Sequence, residues 1–315
     1  MHNVTRTSIA SRRWVGVAAF GLLMIAAAAT VGCKREAPKK TETEPRVAPS
    51  AISSAKPMLS SAPITVERAE QELNPDKLPP YAGPTGTIEG TVRITGDPSP
   101  ETDLRFHGDC MGAAATYRHV FREGEGRVVA DALVAVTGYK AYVPAKEEAV
   151  RVSIENCAFS TKTIAMTFGQ RLEVQNIDKT NSFVPVLHGA KTTAWMVAVP
   201  RADPVKLYPD AVGRFLLADN MQRSWMKAEV FVLKYATHQV TSLSGRYRIE
   251  GIPVGELSVD AWLPSVDIQQ NKKVSLSEGQ TLTVDFELAF DRAKYDEARK
   301  QPEPASSVPV SPVVR

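Results

Sequence analysis

The chain lacks a charge of one sign: 38 Lys and Arg stand against 35 Asp and Glu, for a formal net charge of +3. Without a basic surplus there is no electrostatic footprint for nucleic acid. It also lacks the short motifs of common enzymes. There is no Gly-x-Ser-x-Gly elbow, no phosphate loop and no His-Glu-x-x-His. The neighbouring Glu147 and Glu148 lie in a polar stretch and read as a solvated face rather than an acid–base pair. With no nucleophile beside a base, the expectation is a protein that is not an enzyme and carries no cofactor. No internal repeat and no long helical pattern is present. Cysteine is scarce: Cys33, Cys110 and Cys157 are the three in 315 residues.

What is there begins with an apolar run over residues 14–31, directly behind Arg12 and Arg13. A basic start, an apolar run and a small residue, Gly32, before Cys33 read as an export signal. Gly16 and Gly21 interrupt the run, which makes it a poor permanent span. The stretch Thr30-Val31-Gly32-Cys33 resembles a bacterial lipobox, with Thr30 where Leu or Val is usual. That resemblance implies a lipoprotein signal peptide over residues 1–33 and acylation of Cys33. The expected place is outside the cytoplasm, in the periplasm or on the outer membrane, held by a lipid anchor; an uncleaved N-terminal anchor is the alternative. With Cys33 acylated, an even pair remains in an oxidising compartment, and a Cys110–Cys157 disulfide is expected.

Residues 34–85 are rich in Pro, Ala, Ser, Thr, Lys and Glu. They offer too little apolar surface to offset ordering entropy, so a disordered linker is expected. Residues 291–315 form a polar tail, with good helix formers over 291–300. Between them the chain reads as many short strands, the signature of an all-β fold. Strand patterns lie at 86–94, 132–136, 150–154, 163–168, 171–175, 229–233, 247–249, 256–262 and 282–288. Turn chemistry separates them at Phe168-Gly169-Gln170, Leu243-Ser244-Gly245-Arg246, Pro253-Val254-Gly255 and Glu278-Gly279-Gln280.

Two segments resemble known families. Ser244-Gly245-Arg246-Tyr247-Arg248-Ile249-Glu250-Gly251-Ile252-Pro253-Val254-Gly255-Glu256-Leu257-Ser258-Val259 resembles the carboxypeptidase regulatory-like, or transthyretin-like, β-sandwich. The strands at 86–94 and 130–136 resemble the first strands of the same module. Cys157-Ala158-Phe159, then the run from Phe168 through Glu173 to Asp178, then Ser224-Trp225-Met226-Lys227-Ala228, resemble a cupredoxin. The resemblance implies a transthyretin-like sandwich split into 86–138 and 237–290, with a cupredoxin-like sandwich or barrel inserted at 139–236.

A blue-copper site needs two imidazoles, one thiolate and usually a weak Met. On the resemblance, Ser182 or Pro185 falls where a His is expected, Asn220 where the Cys is expected and Arg223 where the second His is expected. Only Met226 keeps the residue type. Asn is a hard neutral donor and Arg stays cationic, so the position is degenerate and no metal is expected. His107-Gly108-Asp109-Cys110-Met111 could hold Cu(I), against which stands the expected disulfide. His188 could be a displaced ligand or a loop residue; His119 and His238 have no ligand spacing. Trp225 and Trp262 are expected to fill the two cores, and Trp195 could stack on a sugar. The function expected is a lipid-anchored envelope protein with a binding or structural role toward an envelope protein or a glycan. A copper protein with displaced ligands drawn from Met221, Met226, His188 and residues 107–111 is one alternative; a cell-wall glycan-binding module is the other.

Overall fold

The computed structural model describes residues 63–191, 195–221 and 223–300. The signal segment, Cys33, residues 34–62 and residues 301–315 lie outside the described residues. The described chain is an all-β protein of two packed sandwiches.

The first sandwich holds β3 (Ala149–Glu155), β4 (Ala158–Phe159), β5 (Thr163–Thr167), β6 (Arg171–Asn176), β7 (Pro185–His188), β8 (Val205–Leu207), β9 (Gly213–Asp219) and β10 (Lys227–Leu233). One sheet runs β4-β3-β6-β8 and the other β5-β10-β9-β7. β3 pairs β6 in parallel, and β5 pairs β10 in parallel. Parallel neighbours require crossovers, so the loops between the sheets gather at the sandwich ends. Val152, Ile154, Leu172, Val174, Val230 and Val232 close the core between the sheets.

The second sandwich is built from both flanks of that insertion. It holds β1 (Thr85–Gly96), β2 (Leu133–Thr137), β11 (His238–Val240), β12 (Arg246–Pro253), β13 (Gly255–Leu263), β14 (Ile268–Leu276), β15 (Thr281–Thr283) and β16 (Phe286–Phe290). One sheet runs β11-β2-β13-β14; the other runs β12-β1-β15, with β16 also on β1. β1 changes parallel partner from β15 to β16 along its length. Gly90 sits at the change, where any Cβ would strike the carbonyl of Val284. A side chain there would break the sheet, so glycine is required by close approach.

The two sandwiches share a third cluster, made by Leu133, Ala135 and Trp262 from one and Ala165, Phe231 and Leu233 from the other. This explains two apolar runs. In β2, Val134 and Val136 face the inner core while Leu133 and Ala135 face the neighbouring sandwich. In β10, Val230 and Val232 face inward while Phe231 and Leu233 face outward into the joint. Strands covered on both faces read as continuous hydrophobic runs instead of alternating ones. Trp262 therefore fills the joint rather than a sandwich core, because it alternates with Ala261 and its face of β13 meets Phe231 at 4.8 Å between centroids. Trp225, in contrast, lies in the first core.

A polar knot fastens the same joint. Arg122 donates to Asp131 through Nε at 2.7 Å and Nη2 at 2.6 Å. The Thr161 hydroxyl and the Lys162 amide, both from the inserted sandwich, donate to Asp131 Oδ1 at 2.7 and 2.9 Å. Lys162 Nζ reaches back to the carbonyls of His119 and Val120 at 2.9 and 2.7 Å.

The expectation of disorder over 34–85 is corrected for residues 63–85. Residues 66–73 form α1 (Val66–Leu73), capped by Thr65, whose hydroxyl accepts from the Arg68 amide at 3.3 Å. Ile64, Ala69 and Leu73 pack on the first core, Glu72 pairs with Lys234 at 2.7 Å, and Tyr81 donates its amide to the carbonyl of Tyr142 at 2.8 Å. A few apolar residues at helical spacing suffice once a preformed surface receives them. In the polar tail, residues 292–298 form α2 (Arg292–Ala298), capped by the Asp291 carboxylate.

Candidate functional site

The four positions assigned by resemblance lie on two loops at one end of the first sandwich. Ser182 is on the β6–β7 loop; Asn220, Arg223 and Met226 are on the β9–β10 loop. The loops are sewn together by the backbone: the Asn220 amide donates to the Val184 carbonyl at 2.9 Å, and the Asp219 amide to the Met226 carbonyl at 3.1 Å.

Arg223 occupies the space between them. Its Nη1 donates to Asp219 Oδ2 at 3.1 Å and to the Ser182 carbonyl at 3.3 Å. Its Nη2 donates to Asn181 Oδ1 at 3.3 Å. The guanidinium carbon stands 4.6 Å from the Phe183 ring centroid, a cation–π contact. The Asp219 side chain is fully enclosed and accepts a second bond from the Val184 amide at 2.7 Å. Met226 is fully buried in the core beneath. Ser182 thus contributes its carbonyl and Asn220 its amide, neither a side chain.

The β6–β7 loop is held by two further residues. Asn176, almost fully buried, donates through Nδ2 to the carbonyls of Asn181 at 2.8 Å and Ala198 at 2.7 Å. Asp178 accepts from the backbone amides of Thr180, Asn181 and Cys157, each at 3.2 Å. Burial pushes the Asp178 carboxyl up, but these bonds outweigh it and hold the group below its ordinary range.

Copper does not fit these residues. The set offers a guanidinium already paired with a carboxylate, two backbone groups and a thioether. A fixed cation at the centre repels a second one, and no thiolate or imidazole is at hand. Among the described residues, no group of three or more His, Cys, Asp or Glu is placed to hold a metal ion.

The other candidate ligands are dispersed. Cys110, on the 3-10 turn Gly108–Ala113, is bonded to Cys157 in the turn between β3 and β4, with a Cα–Cα distance of 5.2 Å. Its sulfur is therefore committed, and Met111 beside it is exposed. His107 packs edge-on against Trp225, whose Nε1 donates to the Cys157 carbonyl at 3.1 Å. His188 ends β7 with its side chain exposed. His119 Nδ1 lies 3.4 Å from the Ser99 carbonyl. His238 Nε2 lies 3.2 Å from the Thr167 hydroxyl, and burial pushes its imidazole down to about 4. Glu148 pairs with Arg171 at 3.0 Å and stays exposed, an ordinary surface pair.

A second concavity, a cleft of about 660 Å³, opens where the sandwiches meet. Arg122, Arg151, Thr161, Ile164, His238 and Leu243 are among its walls. Of the polar partners of Arg223, Ser182 was singled out in the sequence, whereas Asn181 and Asp219 were not. The one local signal was the carboxylate of Asp219, four residues upstream.

No family model matches the chain, and no curated protein matches it by sequence. Several solved structures share a stretch of its strand framework. Amicyanin from Paracoccus versutus is 19% identical over 31% of this chain and 96% of that chain, with a TM-score of 0.24. Auracyanin A from Chloroflexus aurantiacus, a "blue" copper protein, is 11% identical over 27% of this chain and 98% of its own, with a TM-score of 0.22. The Cu-containing nitrite reductase from Thermus scotoductus is 17% identical, with a TM-score of 0.23; the match covers 30% of this chain and 24% of that one.

Proposed function

We propose that the protein is a lipid-anchored component of a bacterial cell envelope with a binding or structural role, and not an enzyme. On this reading the first sandwich is a cupredoxin-like domain without its metal, and the second is a transthyretin-like module that carries it. The anchor is acylated Cys33, and the partner is an envelope protein or a glycan. One observation carries the reading. The Arg223 guanidinium, paired with Asp219 and laid on Phe183, fills the place where the resemblance puts a metal ligand. The bonded Cys110 supports it further, since a thiol locked in a disulfide is no ligand for the displaced-ligand alternative.

Copper titration of the full chain, followed by absorbance and electron paramagnetic resonance, tests it. The expected outcome is no intense visible band and no stoichiometric, tightly held ion. One copper per chain with a thiolate-to-copper band would establish the alternative and end this reading.

A further inference from the structure

The cleft between the sandwiches is bordered by strand edges, and that of β3 is open. The register of β3 to β6 fixes which of its backbone groups are used. The Arg171 amide donates to the Glu148 carbonyl at 3.0 Å and the Ile177 amide to the Ile154 carbonyl at 2.9 Å. Alternate residues of a strand turn their N–H and C=O to the same side, so Val150, Val152 and Ile154 serve the ladder to β6. Ala149, Arg151 and Ser153 turn theirs the other way. Ser153 is satisfied there: its amide donates to Ser160 Oγ at 3.3 Å, and its carbonyl accepts from the Ser160 amide at 2.9 Å. β4 pairs only with Ile154 and Glu155. The backbone N–H and C=O of Ala149 and Arg151 therefore meet no partner among the described residues. Other edges are guarded. On β5 the Thr163 amide donates to the Thr161 hydroxyl at 3.3 Å and the Thr167 amide to Gln170 Oε1 at 2.7 Å, which leaves Ala165 alone. On β14, Lys272 and Lys273 stand in the edge row, where lysine discourages pairing. Over Ala149–Val152, β3 has no proline, no lysine and no bulge.

This open edge lies in a groove. Val150, Arg151 and Val152 stand on the first-sandwich side of the 660 Å³ cleft, and Val240 and Leu243 on the side of the second. A cavity of about 420 Å³ continues it past Val150 and His238 to Lys146. Another of about 440 Å³ continues it past Leu243 and Ser244 to Arg93. Joined cavities of this form suit an elongated occupant. No Phe, Tyr or Trp lines the central cleft, so a sugar ring finds no stacking face there. Unpaired N–H and C=O groups at strand spacing match the backbone of an extended polypeptide instead. The pleat also sets what the occupant presents. Its residues opposite Ala149 and Arg151 share their solvent-facing side, and the residues between them face the cleft beside Val150 and Ile164.

We propose that β3 takes up an extended segment of a partner polypeptide as an added strand, with small or aliphatic side chains at alternate positions directed into the cleft. The proposal rests on the binding role above and names the class of partner. Copper uptake would end the metal-free reading and leaves the peptide result to be scored by itself. The probes are synthetic nonapeptides selected from a displayed random library on the full chain. Binding is read by affinity and by amide hydrogen exchange resolved to single residues. In the free protein the Ala149 and Arg151 amides are expected to exchange fast, and those of Val150 and Val152 slowly. A bound peptide is expected to slow Ala149 and Arg151 about tenfold or more. N-methylation of every second peptide amide is expected to weaken binding about tenfold or more in one alternate set and little in the other, because only one set faces β3. Leu243→Glu, at a position 58% exposed, is expected to weaken binding with the thermal midpoint unchanged. Slow exchange at Ala149 and Arg151 in the free chain overturns the proposal. So does a library that yields no binder, a peptide that binds without slowing these two amides, or a loss on N-methylation that is the same in both sets. Slowing of the same amides by cell-wall polysaccharide, or by self-association at raised protein concentration, in place of peptide overturns it too.

Discussion

At the residue scale, Arg223 ties two loops to one buried point. Its partner Asp219 is fully enclosed and Arg223 is mostly so. Removing one member of a buried pair leaves the other charged and unmatched, which costs about 3 kcal/mol or more. Arg223→Ala is therefore expected to lower stability by about that amount, seen as a lower urea midpoint without a change of slope. Arg223→Met combined with Asp219→Asn is expected to recover most of the loss. Simple additivity of the two changes would mean that the pair is not coupled. Ser182, Asn220, Arg223 and Met226 were singled out in the sequence by resemblance, and the structure places them on two loops at one end of the first sandwich. The partners of the guanidinium were legible only in part: Asp219 lies four residues upstream, whereas Asn181 and Phe183 reach it through tertiary contacts with a loop some forty residues away.

Elements explain which parts of the fold could be read in advance. β2, β3, β6 and β10 announce themselves through apolar side chains on at least one fully covered face. β14 does not: Gln269, Gln270, Asn271, Lys272 and Lys273 make it polar, and it survives as an edge by a nine-residue ladder to β13. β8 and β11 are three residues each, too short for any period to show. α1 was hidden because its apolar residues are few and gain stability only against the first core. The disulfide is the covalent element of this scale, and it joins the 3-10 turn at Cys110 to the β3–β4 turn across a separation of 47 residues. Closing a loop of that size contributes about 4 kcal/mol in the chain-entropy account. Cys110→Ser and Cys157→Ser are expected to lower the thermal midpoint equally, with no further loss in the double variant. Unequal losses would point to strain or packing at one of the two sites instead of the shared bond.

For the whole molecule, the joint between the sandwiches sets the pH response. It encloses groups whose charged forms are disfavoured by burial. Burial pushes the Lys162 ammonium down to about 8, opposed by Asp131 and assisted by Arg122. Burial alone pushes His238 down to about 4. An unfolded His binds its proton near pH 6.5, so between about 4 and 6.5 the unfolded chain holds more protons than the folded one. Stability then rises with pH across that window and is lost as pH falls through it. For Lys162 the same sign applies between about 8 and 10.4, where stability rises again. Burial raises Tyr117, Tyr235 and Tyr247, so above about pH 10 the unfolded chain releases protons that the folded one keeps, and stability falls. At the acid end Asp178 and Glu173 add to the slope, because hydrogen bonds hold both carboxyls below their ordinary range. Their share lies mainly below pH 4.5, whereas that of His238 lies above it. His238→Gln is therefore expected to flatten the rise between pH 4.5 and 7 by on the order of 2 kcal/mol in urea unfolding. If the variant keeps the full slope, the rise belongs to the carboxylates, and the imidazole at the joint is solvated in the native state.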